Sequence, residues 1–217
     1  MIQVKRFIFN SFGVNTYVVW DSKDGIIIDC GCQDSFEWDE LYSFIKKEKI
    51  NIRHILNTHL HIDHVLGNRY AVKEFDLDIE ANKLDYPLYL NLRDQVAMFF
   101  GEQATSLFNY DFTQHIGPSL DDNSKIQFGS ETLEVITSPG HSPGSICFYN
   151  RSNDILFSGD TLFQSSIGRT DLPGGNYTDI ISSLSRLTNL PSSTTIYSGH
   201  GNATTIASEL IHNPFLR

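Results

Sequence analysis

Cysteine, basic side chains and long apolar runs are all scarce in this sequence, and each scarcity excludes a class of protein. The 217 residues include 3 Cys, too few and odd in number for a disulfide scaffold, and typical of a reducing compartment. Lys and Arg total 16 against 26 Asp and Glu, so the formal net charge is −10. Negative charge of this size opposes binding to a phosphate backbone, and we expect no nucleic-acid partner.

The sequence also lacks membrane and secretion signals. No stretch approaches the roughly 18 consecutive apolar residues of a membrane span. Residues 7–15 are too short and too polar for the apolar part of a secretion signal. We therefore expect a cytoplasmic protein with no membrane partner.

The composition and the even distribution of residue types favour a single folded unit. Hydrophobic residues make up 40% of the chain and charged residues 19%, which allows a sizeable core. No linker rich in Ser, Gly or Pro, no low-complexity tract and no repeat of fixed period divides the sequence. We expect one domain over residues 1–217.

Apolar runs and turn residues predict alternating strands and helices. Strands are predicted over 2–9, 15–20 and 25–29, with a hairpin turn at 22–25. A helix is predicted over 35–49, because Asp34 and Glu37 match a capping box and apolar side chains then recur at helical spacing. Further helices are predicted over 66–75, 82–100, 179–190 and 205–213. This order of elements is typical of a layered α/β fold.

Four apolar runs each stop shortly before a residue that can bind a metal ion. The runs and the residues that follow them are 55–58 before His59, 133–137 before His141, 155–157 before Asp160, and 195–197 before His200. In layered α/β proteins ligands gather where loops leave the carboxyl ends of strands. The four residues are therefore expected to share one site.

The strongest motif is His-x-His-x-Asp-His over residues 59–64. With 8 His in the chain, its chance occurrence has a probability on the order of one in a thousand. His59 and His61 can point to one centre from an extended loop, while Asp63 and His64 face a second centre nearby. With His141, Asp160 and His200 the chain offers five His and two Asp, enough for two cations.

These motifs resemble those of the metallo-β-lactamase superfamily, and within it the short form of the glyoxalase II (hydroxyacylglutathione hydrolase) group. The resemblance covers nearly the whole chain. It is carried by residues 28–31, 59–64, 140–141, 159–163, 168–175, 199–201 and 213–215.

The resemblance implies a four-layer αβ/βα sandwich with a dinuclear metal site. It implies that one metal is bound by His59, His61 and His141, that the other is bound by Asp63, His64 and His200, and that Asp160 bridges them. Zinc is the default, and similar enzymes also accept iron or manganese. Asp29 matches a buried family acid that supports the metal loop, although a strand-end carboxylate that caps backbone amides is an equal alternative.

Two features depart from the glutathione-binding members. Those enzymes carry a C-terminal helical domain that supplies basic residues to glutathione, whereas this sequence ends 17 residues after His200. They also place Tyr where this chain has Asn202, which the resemblance makes a candidate substrate contact together with Arg169. Arg169 falls where they have a Lys that contacts the thiol carrier, so Arg169 either binds the carrier or pairs with Asp171 or another acid.

The resemblance therefore implies hydrolysis of a small 2-hydroxyacyl thioester of the D-lactoylglutathione class. A metal-bridging hydroxide is the expected nucleophile, with Asp63 as the catalytic residue that orients it. The main alternative is a mononuclear iron enzyme similar to persulfide dioxygenases, which would use His59, His141 and Asp160. A β-lactamase is disfavoured because an amine leaving group needs a proton donor, and a nuclease is disfavoured by the negative charge.

The sequence leaves other properties open. The aromatic-rich stretch 86–112 suits a wall or lid of a substrate cleft, a core segment or a subunit contact. The acyl group, the thiol carrier, and the choice between monomer and homo-oligomer are also left undetermined.

Overall fold

The structure is a computed structural model that describes residues 2–107 and 115–216, with the backbone alone for residues 106 and 107. Within those ranges, no helix combines the length and the apolar character needed to cross a bilayer. The predicted strands and most predicted helices are present, with ends that differ by a few residues.

Five strands form the first sheet, in the order β1-β2-β3-β4-β5. The strands are β1 (Gln3–Phe9), β2 (Val14–Asp21), β3 (Asp24–Ile28), β4 (Asn51–Leu56) and β5 (Ile79–Glu80). β1, β2 and β3 pair antiparallel, whereas β4 runs parallel to both β3 and β5. β3, β4 and β5 therefore end at the same edge of the sheet, and the loop that begins at Asn57 leaves from this edge.

The second half of the chain forms a six-stranded sheet and a small hairpin. Its strands are β6 (Lys125–Phe128), β7 (Glu131–Thr137), β8 (Ile146–Asn150), β9 (Ile155–Gly159), β10 (Leu162–Phe163), β11 (Ser166–Ile167), β12 (Thr195–Ser198) and β13 (Thr204–Thr205). The large sheet has the order β13-β12-β9-β8-β7-β6, and β10 and β11 pair with each other.

Helices cover the outer faces of the two sheets. They are α1 (Ser35–Glu48), α2 (Ile62–Val65), α3 (Asn68–Phe75), α4 (Tyr86–Leu90), α5 (Leu92–Phe100), α6 (Tyr177–Leu187) and α7 (Ile206–His212). α1 begins where the capping box predicts, because the Asp34 carboxylate accepts hydrogen bonds from the amides of Phe36 and Glu37. The Glu37 side chain departs from the box and binds the amides of Asn10 and Gln33 instead.

Three apolar clusters separate four layers. One lies between the first sheet and its helices, with Trp38, Leu41 and Ile45 of α1 among its members. A second lies between the two sheets, and a third packs Ile180, Leu184 and Leu187 of α6 on the second sheet. This arrangement confirms the predicted four-layer αβ/βα sandwich.

The single helix predicted over 82–100 is wrong. Residues 83–85 form a 3-10 turn, and Asn91 interrupts the rest with φ −105° and ψ 29°. The Asn91 side chain donates a hydrogen bond to the carbonyl oxygen of Pro87 at 2.9 Å, and this competition with the backbone ends α4. A second helix, α5, starts directly afterwards.

The two sheets meet at the edge where β4, β9 and β12 end. The amide of Ile146 donates to the carbonyl of Thr58 at 2.8 Å, and the amide of Asn15 donates to the carbonyl of Gly199 at 2.7 Å. Each bond joins one sheet to the other, so loops from both sheets are held together at this edge.

Candidate metal centre

All seven side chains predicted to bind metal converge at this edge. His59 and His61 lie in the loop after β4, and Asp63 and His64 lie in α2. The other three, which follow strands β7, β9 and β12 of the second sheet, are His141, Asp160 and His200. Their metal-ligating atoms form three overlapping triplets, within each of which all atoms lie within 4.8 Å of one another. One of these, His59, His64 and Asp160, shares His59 with the first triplet described below and His64 with the second.

The first triplet contains His59, His61 and His141. All three are buried, and His61 Nδ1 lies 2.8 Å from His141 Nε2. Burial and the neighbouring histidines hold the pKa of His59 well below its usual value and lower the pKa of His61 to about 3. These two imidazoles are therefore neutral, which is the form that binds a metal ion.

The second triplet contains Asp63, His64 and His200. The Asp63 carboxylate lies 3.1 Å from His200 Nε2 and 3.5 Å from His64 Nε2. Burial opposes the charge on His64, but the carboxylates of Asp63, Asp160 and Asp29 outweigh it and raise the pKa of His64 well above its usual value. Burial likewise opposes the charge on Asp63, yet His64 and His200 lower its pKa, so Asp63 is ionised.

Asp160 lies between the two groups of histidines. Its Oδ1 is 3.4 Å from His64 Nε2, and its Oδ2 is 3.6 Å from both His141 Nε2 and His200 Nε2. Burial disfavours its charge, but these histidines outweigh burial and lower the pKa of Asp160. A single carboxylate thus faces donors of both triplets.

Three buried nitrogen and oxygen atoms at the centre have no hydrogen-bond partner among the described residues, and each could instead bind a cation. The three atoms are His59 Nε2, His64 Nε2 and Asp160 Oδ1. A buried polar atom left unpaired destabilises a protein by about 1–3 kcal/mol. Imidazole and carboxylate donors gathered in this way are ligands that divalent transition metals prefer. The residues present therefore fit divalent metal ions.

Contacts behind the histidines fix which nitrogen faces the centre. His64 Nδ1 lies 3.0 Å from the Asp29 carboxylate, and His141 Nδ1 lies 2.8 Å from the carbonyl oxygen of Arg169. Because both partners only accept, each Nδ1 carries a proton, and each Nε2 would be the atom that binds a metal ion, which on His64 would replace the second proton that the neighbouring carboxylates favour.

Asp29 also holds the loop that carries the motif. Its carboxylate accepts from the Thr58 amide at 2.8 Å and from the Thr58 hydroxyl at 2.7 Å. Both alternatives from the sequence therefore coexist, since the same carboxylate caps a backbone amide and orients a predicted ligand. The backbone of Asp29 has φ +54°, a left-handed conformation that a non-glycine residue rarely adopts.

Glycine at position 199 is required by close packing around the carboxylate. A Cβ atom there would lie 2.1 Å from Asp160 Oδ1 and 2.7 Å from His64 Cε1. Any larger residue would therefore displace the carboxylate that both triplets share.

Asp85 is a site residue that sequence reasoning missed. Its side chain is fully buried and accepts hydrogen bonds from the Leu60 amide at 3.1 Å, the Ser142 hydroxyl at 2.7 Å and the Gly144 amide at 2.6 Å. It therefore ties the loop of His59 and His61 to the loop of His141. Its only sequence signal is an acid placed directly before an apolar run, which does not reveal three partners from distant segments.

A cavity of about 400 Å³ opens over the donors. Its apolar walls include Phe12, Phe99, Phe163, Ile167 and Leu172, and Arg169 lies at its edge. Such a cavity, with convergent polar groups on its floor, is typical of a small-molecule site.

Of the two predicted substrate contacts, Arg169 lines the cavity and Asn202 does not. The Arg169 guanidinium forms a bidentate pair with Asp171, with both distances 2.7 Å, and side chains 56% and 69% exposed. Asn202 is exposed and does not line the cavity.

The aromatic stretch divides between core and cavity. Tyr89 is buried in the core beside the first sheet, whereas Phe99 lines the cavity and contacts Phe12 edge to face at 5.7 Å between ring centroids. Other members of the predicted stretch, Phe108, Tyr110 and Phe112, lie outside the described residues.

Comparison with known proteins agrees with this geometry. A family model described as the metallo-beta-lactamase superfamily matches residues 10–200. The chain is 35% identical to the hydroxyacylglutathione hydrolase GloC of Haemophilus influenzae, over 95% of this chain and 94% of the relative.

Two solved structures are similar along the whole chain. The BLEG-1 B3 metallo-beta-lactamase has a TM-score of 0.81 at 31% identity, covering 99% of both chains. TTHA1623 in a di-iron-bound form has a TM-score of 0.81 at 32% identity, covering 98% of this chain and 100% of that one.

Proposed function

Because this chain belongs to the metallo-beta-lactamase superfamily, whose members named above include a hydrolase of hydroxyacyl thioesters, we propose that it is a dinuclear metal-dependent hydrolase of 2-hydroxyacyl thioesters. The substrate is a small molecule of the D-lactoylglutathione class. The observation that carries the proposal is the pair of donor triplets that face one carboxylate, Asp160, beneath a cavity of about 400 Å³.

The metal ligands are assigned from the two triplets. His59, His61 and His141 would hold one divalent cation. Asp63, His64 and His200 would hold the other, and Asp160 would serve both. When bound, the cations lower the pKa of a water molecule and polarise the thioester carbonyl. Zinc is the default for this donor set, and the di-iron-bound relative supports iron as the first competitor.

Asp63 is the residue that acts on the water. Its carboxylate is ionised, for the reasons given above, and is 15% exposed on the floor of the cavity. An ionised carboxylate can only accept hydrogen bonds, so Asp63 orients the water by holding one of its protons. The water would give up its other proton to solvent as its oxygen bonds to the carbonyl carbon, and the carbon–sulfur bond would then break with its electron pair leaving on sulfur as a thiolate.

A thiol leaving group does not need a general acid to protonate it. A thiol has a pKa near 8.5, so it can leave as a thiolate close to neutral pH. This suits the described part of the cavity floor, where the titratable side chains are all predicted metal ligands. The same floor is poorly suited to an amine leaving group, which must be protonated before it departs.

The completeness of the second triplet supports two metals rather than one. A mononuclear enzyme of the persulfide dioxygenase kind would need His59, His141 and Asp160 alone. Here Asp63 and His200 lie 3.1 Å apart, and among the described residues the buried His64 Nε2 has no hydrogen-bond partner.

The three free, buried cysteines, Cys30, Cys32 and Cys147, support a reducing, cytoplasmic location.

Metal analysis of the purified protein, together with a substrate panel, tests the proposal. The panel contains 2-hydroxyacyl thioesters, a persulfide with oxygen uptake as readout, and a cephalosporin. We expect two metal ions per chain and thioester hydrolysis. One iron per chain with oxygen uptake, or hydrolysis of the cephalosporin alone, would overturn the proposal.

The matched variant is Asp63→Asn, because it keeps the shape of the side chain but removes the charge that holds the water proton. It should lower kcat more than it changes KM. If kcat is unchanged, Asp63 has no role in orienting the water.

A further inference from the structure

A second cavity of about 280 Å³ opens beside the metal centre, and we call it the side cleft. It lies between α4 and α5 on one side and the loop after β11 on the other. Its apolar walls are formed by Pro87, Leu88, Met98, Phe99, Leu172 and Pro173. The walls of this cleft favour an apolar occupant.

The side cleft lies next to the cavity over the metal centre. His61, Phe99 and Leu172 line both spaces. His61 is also a member of the first donor triplet. The side cleft is therefore within reach of a side chain on a substrate whose carbonyl carbon lies over the metal ligands.

The polar groups of the cleft exclude an anionic occupant. The Gln95 amide is already engaged, because it binds the amide of Ile62 and the carbonyl oxygens of Leu60 and Leu88. Asp94 adds a carboxylate at the cleft, and the described lining contains no Lys or Arg to balance it. An occupant bearing a carboxylate or phosphate would lose hydration and meet a like charge.

These observations decide which part of a thioester the cleft accepts. Natural thiol carriers bear carboxylates or phosphates, whereas the side chain of a simple 2-hydroxyacyl group is uncharged. Arg169, the cation at the edge of the metal cavity, does not line the side cleft. We propose that the side cleft binds the apolar side chain of the acyl group, so that 2-hydroxyacyl thioesters larger than lactoyl are the preferred substrates. This rests on the proposed thioester hydrolysis.

The expected preference has a definite size. Each methylene group moved from water into an apolar site contributes about 0.8 kcal/mol, which corresponds to about fourfold in kcat/KM. On one carrier, such as glutathione, kcat/KM should therefore rise about fourfold from lactoyl to 2-hydroxybutanoyl and again to 2-hydroxypentanoyl. A flat or falling series would overturn the proposal.

Two exposed residues of the same region provide a matched pair of variants. Met98 lines the side cleft and is 60% exposed, whereas Leu90 lies outside its lining and is 56% exposed. Both Met98→Asp and Leu90→Asp add one charge at a surface position, so both should fold. We expect Met98→Asp to abolish the chain-length preference and Leu90→Asp to retain it. An equal penalty of Met98→Asp on all acyl groups would show that the cleft does not hold the acyl side chain.

A binding measurement separates this proposal from the proposed function. Calorimetry on the metal-loaded protein compares two product acids, lactate and 2-hydroxyhexanoate, and requires no turnover. We expect 2-hydroxyhexanoate to bind more tightly in the wild type and the two acids to bind equally in Met98→Asp. If no thioester is hydrolysed but the affinity difference is present, the proposed hydrolysis is wrong and the proposed binding of the acyl side chain in the side cleft is supported. Equal affinities in the wild type would overturn the side cleft whatever the reaction.

Discussion

The Asp160 carboxylate faces histidines of both the first and the second triplet. Its two oxygens lie 3.4 Å from His64 Nε2 and 3.6 Å from the Nε2 atoms of His141 and His200. We predict that Asp160→Ala loses both metal ions and all activity, and melts at a lower temperature because bound metal stabilises the native state. Elemental analysis and thermal unfolding provide the measurement. Two metals retained per chain would contradict the shared role of Asp160.

Asp85 binds the loops that carry the metal ligands rather than the metal site itself. Asn at this position keeps one acceptor oxygen but replaces the other with an NH2 group, which then faces a donor, either the Gly144 amide or the amide of Leu60 beside the Ser142 hydroxyl. The loops of His61 and His141 should then shift apart. We predict that Asp85→Asn lowers metal affinity by about 10- to 100-fold, as loss of a group that orients metal ligands does.

Competition with a chelator measures this affinity, and Asp94→Asn is the matched control. It removes one carboxylate charge from an exposed acid that lines the side cleft and belongs to none of the three triplets. A lower melting temperature of Asp85→Asn with unchanged metal affinity would show that Asp85 only stabilises the fold.

At the scale of elements, one ionic contact connects β4, β5 and the second sheet. His54 of β4 lies 2.5 Å from the Glu80 carboxylate of β5, and its Nε2 lies 3.1 Å from the carbonyl oxygen of Gln127 in β6. The hydrogen bond to Glu80 outweighs partial burial and raises the pKa of His54. The protonated ring therefore stabilises the joint between the sheets.

This contact should make stability depend on pH. The folded pKa lies above the unfolded value of about 6.5, so the contribution is complete below about pH 6.5 and is lost as pH rises through the folded pKa. We predict that the difference in unfolding free energy between wild type and His54→Gln is larger at pH 6 than at pH 8. Urea unfolding measures it, with the exposed His115→Gln as the control. A difference that grows with pH would contradict the assignment.

The elements also show how far sequence patterns reach. The His-x-His-x-Asp-His motif and the four strand ends identified every donor of the two triplets, because these residues follow directly from local runs of apolar residues. The interruption at Asn91 and the role of Asp85 were missed. Both depend on where a side chain finds its hydrogen-bond partner, and Asp85 finds Leu60, Ser142 and Gly144 from 25 to 59 positions away.

At the scale of the whole molecule, the four layers place the donors where both sheets end. His59, His61, Asp63 and His64 come from the first sheet and its following helix, and the other three follow strands of the second sheet. Neither half of the chain contains a complete set. Metal binding therefore stabilises the packing of the two halves against each other, and removal of metal should weaken that packing first.

The charge of the whole molecule makes the Arg169–Asp171 pair the decisive local feature for an anionic thiol carrier. The chain carries a net charge of −10, and in the described part of the cavity over the donors the one Lys or Arg in the lining is Arg169, which Asp171 neutralises. We predict that Asp171→Asn lowers KM for glutathione thioesters by about two- to fivefold, the size expected for an exposed ion pair.

Arg169→Ala should raise KM by a similar factor, because it leaves the Asp171 charge alone at the edge. Steady-state kinetics with the same acyl group on glutathione and on an uncharged thiol provide the measurement, and the uncharged thioester should respond to neither substitution. Equal changes for both carriers would show that Arg169 acts on the loop rather than on the carrier, since its backbone carbonyl also orients His141.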